Sequence, residues 1–100
     1  MAEILHITTP AAWAEAGRTG SVVADSLDTE GFVHCSTRDQ LAGTLARHFA
    51  GAGELVVLVL DPDAIPAALR WEESRPGERY PHVYGPIPVA AVRAVETAAS

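Results

Sequence analysis

Four histidines occupy the 100-residue chain, and three of them, His6, His34 and His82, interrupt short apolar segments. An imidazole in such a setting can move a proton near neutral pH, ligate a metal, or fix a ligand hydroxyl through a defined tautomer. His6 shares one face of a predicted strand with Thr8, a polar pair in apolar surroundings. His34 stands between Val33 and Cys35 at a predicted strand end, and Ser36 adds a hydroxyl on its face. Rigid strand ends hold binding groups well. Alternation turns Cys35 the other way, as an inert buried thiol. His82 lies in RYPHVYG between Tyr80 and Tyr84, a setting suited to stacking on a flat ring and bonding its edge. Trp71 reads as core or pocket wall, and Glu72 beside it is the one acid placed near a site. Asp28, Glu30, Glu73 and Glu78 read as solvated charge, and His48, late in a helix, as structural or surface. A three-histidine zinc site is the competing reading. No CxxC, HExxH or metal-binding loop supports it, so no metal is assigned. P-loop, GxGxxG and GxSxG patterns are equally absent.

The elements that must position these side chains follow from periodicity. Residues 3–8 alternate as a strand, with Ile4, His6 and Thr8 on one face and Leu5 and Ile7 on the other. Thr9 or Thr8 caps a helix opened by Pro10 and closed by Gly17 or Gly20, with Trp13 and Ala16 inward. Residues 22–27 read as extended or as a short turn. Residues 31–36 read as a strand entering a helix, capped through Ser36 with Asp39 or Thr37 with Gln40, running to Phe49 and closed by the glycines at 51–53. On that reading His34 sits just upstream of free helical N–H groups. Residues 54–61 make the strongest strand, apolar on both faces and therefore central. One helical turn is expected in residues 63–69, and WEESRPGERYPHVYGPIPV reads as a long excursion with Trp71 and Glu72 extended at its start. Residues 89–95 read as a short helix feeding a strand, or a strand alone.

Composition bounds the function. Hydrophobic residues make up 48% and charged residues 20%, a globular balance in a chain long enough for a single domain over residues 1–100. Seven basic residues against thirteen acidic ones leave a net charge of −6, and the cations are scattered arginines. That pattern argues against a nucleic-acid partner, whereas a small anion needs only one arginine or a helix N-terminus. Cys35 has no internal disulfide partner. The start carries no basic leader, and LVVLVL is far shorter than the roughly 20 residues that span a bilayer. The expectation is a soluble, cytoplasmic protein with no membrane contact and no assigned oligomeric state.

Four segments, ILHITTPAAW, SLDTEGFVHCSTRDQ, LRWEE and YPHVYGPIPVAAV, resemble the DUF952 family of bacterial proteins over nearly the whole chain. That family is similar in outline to the ADP-ribosyltransferase superfamily, including RNA phosphotransferases, whose compact split sheet holds NAD in a cleft. The resemblance implies an α+β fold: a compact split or strongly curved mixed β-sheet with two main helices, like a minimal ADP-ribosyltransferase. His6 and Thr8 match the early strand whose histidine contacts the ribose next to nicotinamide. His34, Cys35 and Ser36 match a second element, around the nicotinamide end. The late glutamate of the superfamily has no clear counterpart; His82, Tyr84 and Glu96 are the choices. This departure weighs against transfer to a protein or hydrolysis of NAD and leaves a phosphate-transfer relative open. The implied catalytic set is His34, His6, His82 and Glu72, and the implied NAD or ADP-ribose contacts are His6, Thr8, His34, Ser36 and Tyr84. Cleavage would pass through a ribocation-like transition state, with the protein supplying orientation and charge complementarity. The alternatives are a non-catalytic small-ligand-binding or regulatory module for a nucleotide-like anion, and a protein-interaction domain.

Overall fold

The apolar run LVVLVL is the strand around which the molecule is built. It lies in β4 (Glu54–Leu60) of the computed structural model, which describes residues 3–99. Met1 and Ala2, the first residues of the leader reading, and Ser100 lie outside the described residues. β4 is hydrogen-bonded on one side to β1 (Ile4–Thr8) and on the other to β8 (Val92–Ala99), giving a central position in the order β1-β4-β8. Alternation then covers both of its faces. Ile4, Val56, Leu58 and Leu60 join one cluster with Val33, Cys35 and Val83; Leu5, Ile7, Leu55, Val57 and Val59 join another. Among the described strands, β8 pairs with β4 alone and forms an edge.

Helix α1 (Pro10–Thr19) begins where the sequence signals it. The Thr9 hydroxyl accepts the Ala12 N–H at 3.1 Å, and Gly20 ends the helix at φ 93°. Trp13 and Ala16 pack on the core. Residues 22–27, expected as extended or a turn, are extended at their start, where Val22 ends β2 (Ser21–Val22), and then enter a short helix, α2 (Asp25–Thr29), that neither reading held. β2 pairs with β7 (Ile87–Pro88).

The next helix corrects the expected entry point. After β3 (Val33–His34), α3 spans Leu41–His48 and places Leu41, Leu45 and the following Phe49 on the second core cluster. The reciprocal Thr37–Gln40 box does form: the Thr37 N–H reaches Gln40 Oε1 at 3.0 Å and the Gln40 N–H reaches Thr37 Oγ1 at 3.2 Å. It closes a turn ahead of α3 rather than its first turn. Ser36 does not cap the helix: its N–H and carbonyl both pair with Leu5, each at 2.8 Å, and its hydroxyl lies 3.0 Å from that of Thr44. His34 therefore does not sit immediately before the free N–H groups of the helix.

The expected excursion is a hairpin. β5 (Leu69–Arg75) and β6 (Glu78–Val83) pair antiparallel around Pro76 and Gly77, the latter at φ 79°. A two-residue connection with a left-handed glycine is a strand-joining turn rather than a break. Register slips between Glu73 and Arg75, leaving Ser74 as the bulged residue. β6 also pairs with β3, giving the order β3-β6-β5. The turn expected in residues 63–69 is a single 3-10 turn at Pro62–Ala64. Residues 89–95 take the first of their two readings, a 3-10 turn at Val89–Ala91 feeding β8, so Glu96 lies in a strand rather than a tail. The chain is α+β, with α1 and α3 its main helices, and its strands form three separate sheets. Every described pairing is antiparallel, which replaces the mixed sheet that was expected.

Candidate functional site

The β3-β6-β5 sheet has one apolar and one chemical face, and period-two alternation divides them. Val33, Val83 and Leu69 pack into the core. On the opposite face His34 stands across from His82 in register, and Arg70 stands on the other side of His82. The two imidazoles lie 5.3 Å apart between centroids at 79°. Phe32, two residues before His34, stacks on His82 at 4.0 Å and 16° and meets His34 edge-on at 4.8 Å. Tyr84 lies 5.3 Å from Phe32, and the Arg70 guanidinium sits 5.1 Å over the Tyr84 ring. Trp71 is 42% exposed and is no wall of this site, contrary to its sequence reading. Alternation turns it away from Glu72.

Hydrogen-bond partners fix which nitrogen of each histidine carries a proton, because carboxylates and carbonyls only accept. His82 Nδ1 donates to Glu72 Oε1 at 2.8 Å, and its Nε2 lies 3.1 Å from Ser74 Oγ. His34 Nε2 donates to Glu30 Oε2 at 2.9 Å. His6 Nδ1 donates to the His34 carbonyl at 2.8 Å. In its neutral form each ring therefore keeps one defined acceptor: Nε2 of His6, Nδ1 of His34 and Nε2 of His82. For His6 burial lowers the pKa, a pull that the hydrogen bond to His34 opposes and the charge of the His34 ring reinforces. Its imidazole is thus neutral at pH 7. The Glu72 carboxylate also accepts from the Tyr84 hydroxyl. That bond first, and the one from His82 second, hold Glu72 below the ordinary carboxylate range, while Tyr84 is pushed up by the same contact.

An open cleft of about 1050 Å³ runs past these groups. His6, Thr8, His34, Ser36, Glu72, His82 and Tyr84, the residues singled out in the sequence, all line it. Ser36 is buried, its hydroxyl 3.0 Å from that of Thr44 on α3. Glu96 takes no part: it pairs with Arg38, which also bonds Glu3. Cys35 is a core residue whose thiol burial pushes up to about 12.

Several site residues escaped the sequence reading. Glu30, taken as solvated charge, holds His34, and His48 also lines the cleft. Phe32 and Ser74 line it too, as does Tyr80, which the sequence set beside His82 and which accepts from the Arg47 guanidinium at 2.7 Å. The signal for two of them was alternation: Phe32 shares a face with His34, and Tyr80 with His82 and Tyr84. Ser74, two residues after Glu72, has the same phase of alternation, although it is the residue that the register with β6 skips.

Among the described residues no group of three or more His, Cys, Asp or Glu side chains is placed to hold a metal ion, and no helix is long and apolar enough to cross a membrane. What remains is a small α+β protein with an aromatic and histidine-bearing cleft beside an antiparallel hairpin. The chain belongs to the DUF952 family, described as "Protein of unknown function", which it matches over residues 7–95. It is similar to protein CC0527 from Caulobacter crescentus. The X-ray structure of that protein is 34% identical, with a TM-score of 0.83 over 97% of this chain and 84% of that one. The solution NMR structure gives 33% identity and a TM-score of 0.75 over 96% and 84%. No curated protein matches the chain. Neither the family nor these structures link it to the ADP-ribosyltransferase superfamily.

Proposed function

We propose that the cleft binds a small nucleotide-like ligand, with NAD or ADP-ribose as its class, in a cytoplasmic protein whose fold is a minimal relative of the ADP-ribosyltransferases. The observation that carries this reading is the gathering of three histidines of defined tautomer along one cleft, beside the rings of Phe32 and Tyr84. Acceptor nitrogens suit ribose hydroxyls, and aromatic walls suit a flat base. A cleft of about 1050 Å³ is large enough for a dinucleotide. Arg47, Arg75 and His48 line it as phosphate partners, while Glu30 and Glu72 suit the cationic nicotinamide ring. In this assignment His6 and Thr8 hold the ribose, and His34, Ser36 and Tyr84 the nicotinamide end. Calorimetric titration with NAD and with ADP-ribose should give saturable heat, and His34→Ala should weaken binding by about tenfold or more, about 1.4 kcal/mol. Absence of heat from both ligands at millimolar concentration rejects the proposal.

ADP-ribosyl transfer is a second reading, favoured by one observation. Glu72, held at the cleft by His82 and Tyr84, would supply the acid that the superfamily carries on a late strand. On this reading NAD releases nicotinamide on incubation and Glu72→Gln stops the release. Bound NAD that stays intact through long incubation identifies a binding module without catalysis.

A further inference from the structure

We propose that Ser74 is a nucleophile activated by His82 and positioned through Glu72, so that the cleft carries an acyl-transfer activity toward small carboxylic esters. The geometry is a continuous hydrogen-bond chain: Glu72 Oε1 to His82 Nδ1 at 2.8 Å, and His82 Nε2 to Ser74 Oγ at 3.1 Å. Both distances fall within the roughly 2.6–3.2 Å expected of a carboxylate, base and nucleophile acting together. Direction follows from donor chemistry. Glu72 can only accept, so His82 Nδ1 carries the proton, and the neutral ring then has a lone pair on Nε2 that Ser74 must meet as donor. That is the tautomer a general base requires.

The surroundings favour the same assignment. His82 is buried, and Phe32 stacked on its face holds the ring plane. Tyr84 donates to the oxygen that orients His82, keeping Glu72 ionised. Ser74, by contrast, is exposed on the cleft wall, on the residue that the strand register skips. Bulges beside sites re-aim side chains in this way. Arg75, next in sequence, lines the same cleft, as Arg47 does, and a cation there suits a developing oxyanion. No GxSxG elbow announces this serine, since here the support is a hairpin.

In the reaction, Ser74 Oγ bonds to the carbonyl carbon of the ester while its proton passes to His82 Nε2. Collapse of the adduct breaks the ester C–O bond, and that proton leaves with the alcohol. Water then repeats the cycle, releasing the acid and restoring Ser74. The inference does not rest on NAD binding.

The test is to treat the full chain with a fluorophosphonate and map the adduct by mass spectrometry. Expected is one phosphonyl group, on Ser74, with fluoride released. The adduct should vanish in Ser74→Ala and form about 100-fold more slowly in Glu72→Gln. No adduct on Ser74 in chain shown to be folded by circular dichroism overturns the proposal, as does labelling of Ser74 at an unchanged rate in Glu72→Gln. Because His82→Gln removes a buried group and can fail to fold, Tyr84→Phe is the second probe of the chain and should slow labelling while leaving the adduct on Ser74. Heat from NAD is read separately, so either proposal can fail without the other.

Discussion

His6, His34 and His82 each donate from one ring nitrogen to a different acceptor, a carbonyl for the first and carboxylates for the other two. His6 donates to a carbonyl from a buried position that lowers its pKa. Its folded value lies below its unfolded value of about 6.5, so the unfolded chain binds the proton more readily. The stability linked to His6 is therefore complete above about pH 6.5 and is lost as pH falls through the lowered folded value. Glu72 behaves likewise in a more acidic window, because its folded pKa is depressed from the ordinary carboxylate range. Urea unfolding followed at about pH 8 and about pH 5 should show a lower midpoint in acid. His6→Gln should flatten that dependence between the two; an equal slope in the variant refutes the assignment to His6. At this scale the sequence was informative where polar residues interrupt apolar segments, which picked out His6, His34 and His82. It was silent on Glu30, an ordinary surface acid until folding carries it to His34.

Elements with local signals were legible, and those defined by distant partners were not. Thr9, Pro10 and Gly20 delimit α1, and apolar faces on both sides mark β4 as central. The start of α3 was misplaced because the signal at Ser36 is local whereas its engagement with Leu5 is long-range. DSLDT has no apolar stripe, so α2 leaves no periodic trace. The β5–β6 hairpin was hidden by its own turn, since Pro and Gly punctuate loops and tight hairpins alike. Gly77 at φ 79° is the residue that decides between them. A Cβ there meets nothing within 4 Å, so the cost of Gly77→Ala is conformational, about 1–2 kcal/mol. Chemical denaturation should show that loss, and it should also weaken any function read at Ser74, which the same hairpin carries. An unchanged midpoint rules out the strained turn.

At the scale of the molecule, α+β character could be read from the order of strands and helices, but the partition into three antiparallel sheets could not. Pairing of β2 with β7 joins two-residue strands from opposite ends of the chain, and neither is long enough to show alternation. The central sheet is fixed by burial on both faces, whereas its outer strand β8 is paired with β4 only among the described strands. Val95 on that strand is 45% exposed. A bare rim of this kind is a template on which a second copy can add its own strand, the first step toward fibrous aggregates. Charge guards it: Arg93 bonds Asp61, and Glu96 is held by Arg38, which lowers its pKa. Glu96→Val removes this guard and should shift the sedimentation profile toward larger species as concentration rises; an unchanged profile denies Glu96 the role. The glutamate that the resemblance offered as a possible catalytic acid thus has a different consequence, keeping one molecule from becoming the seed of many.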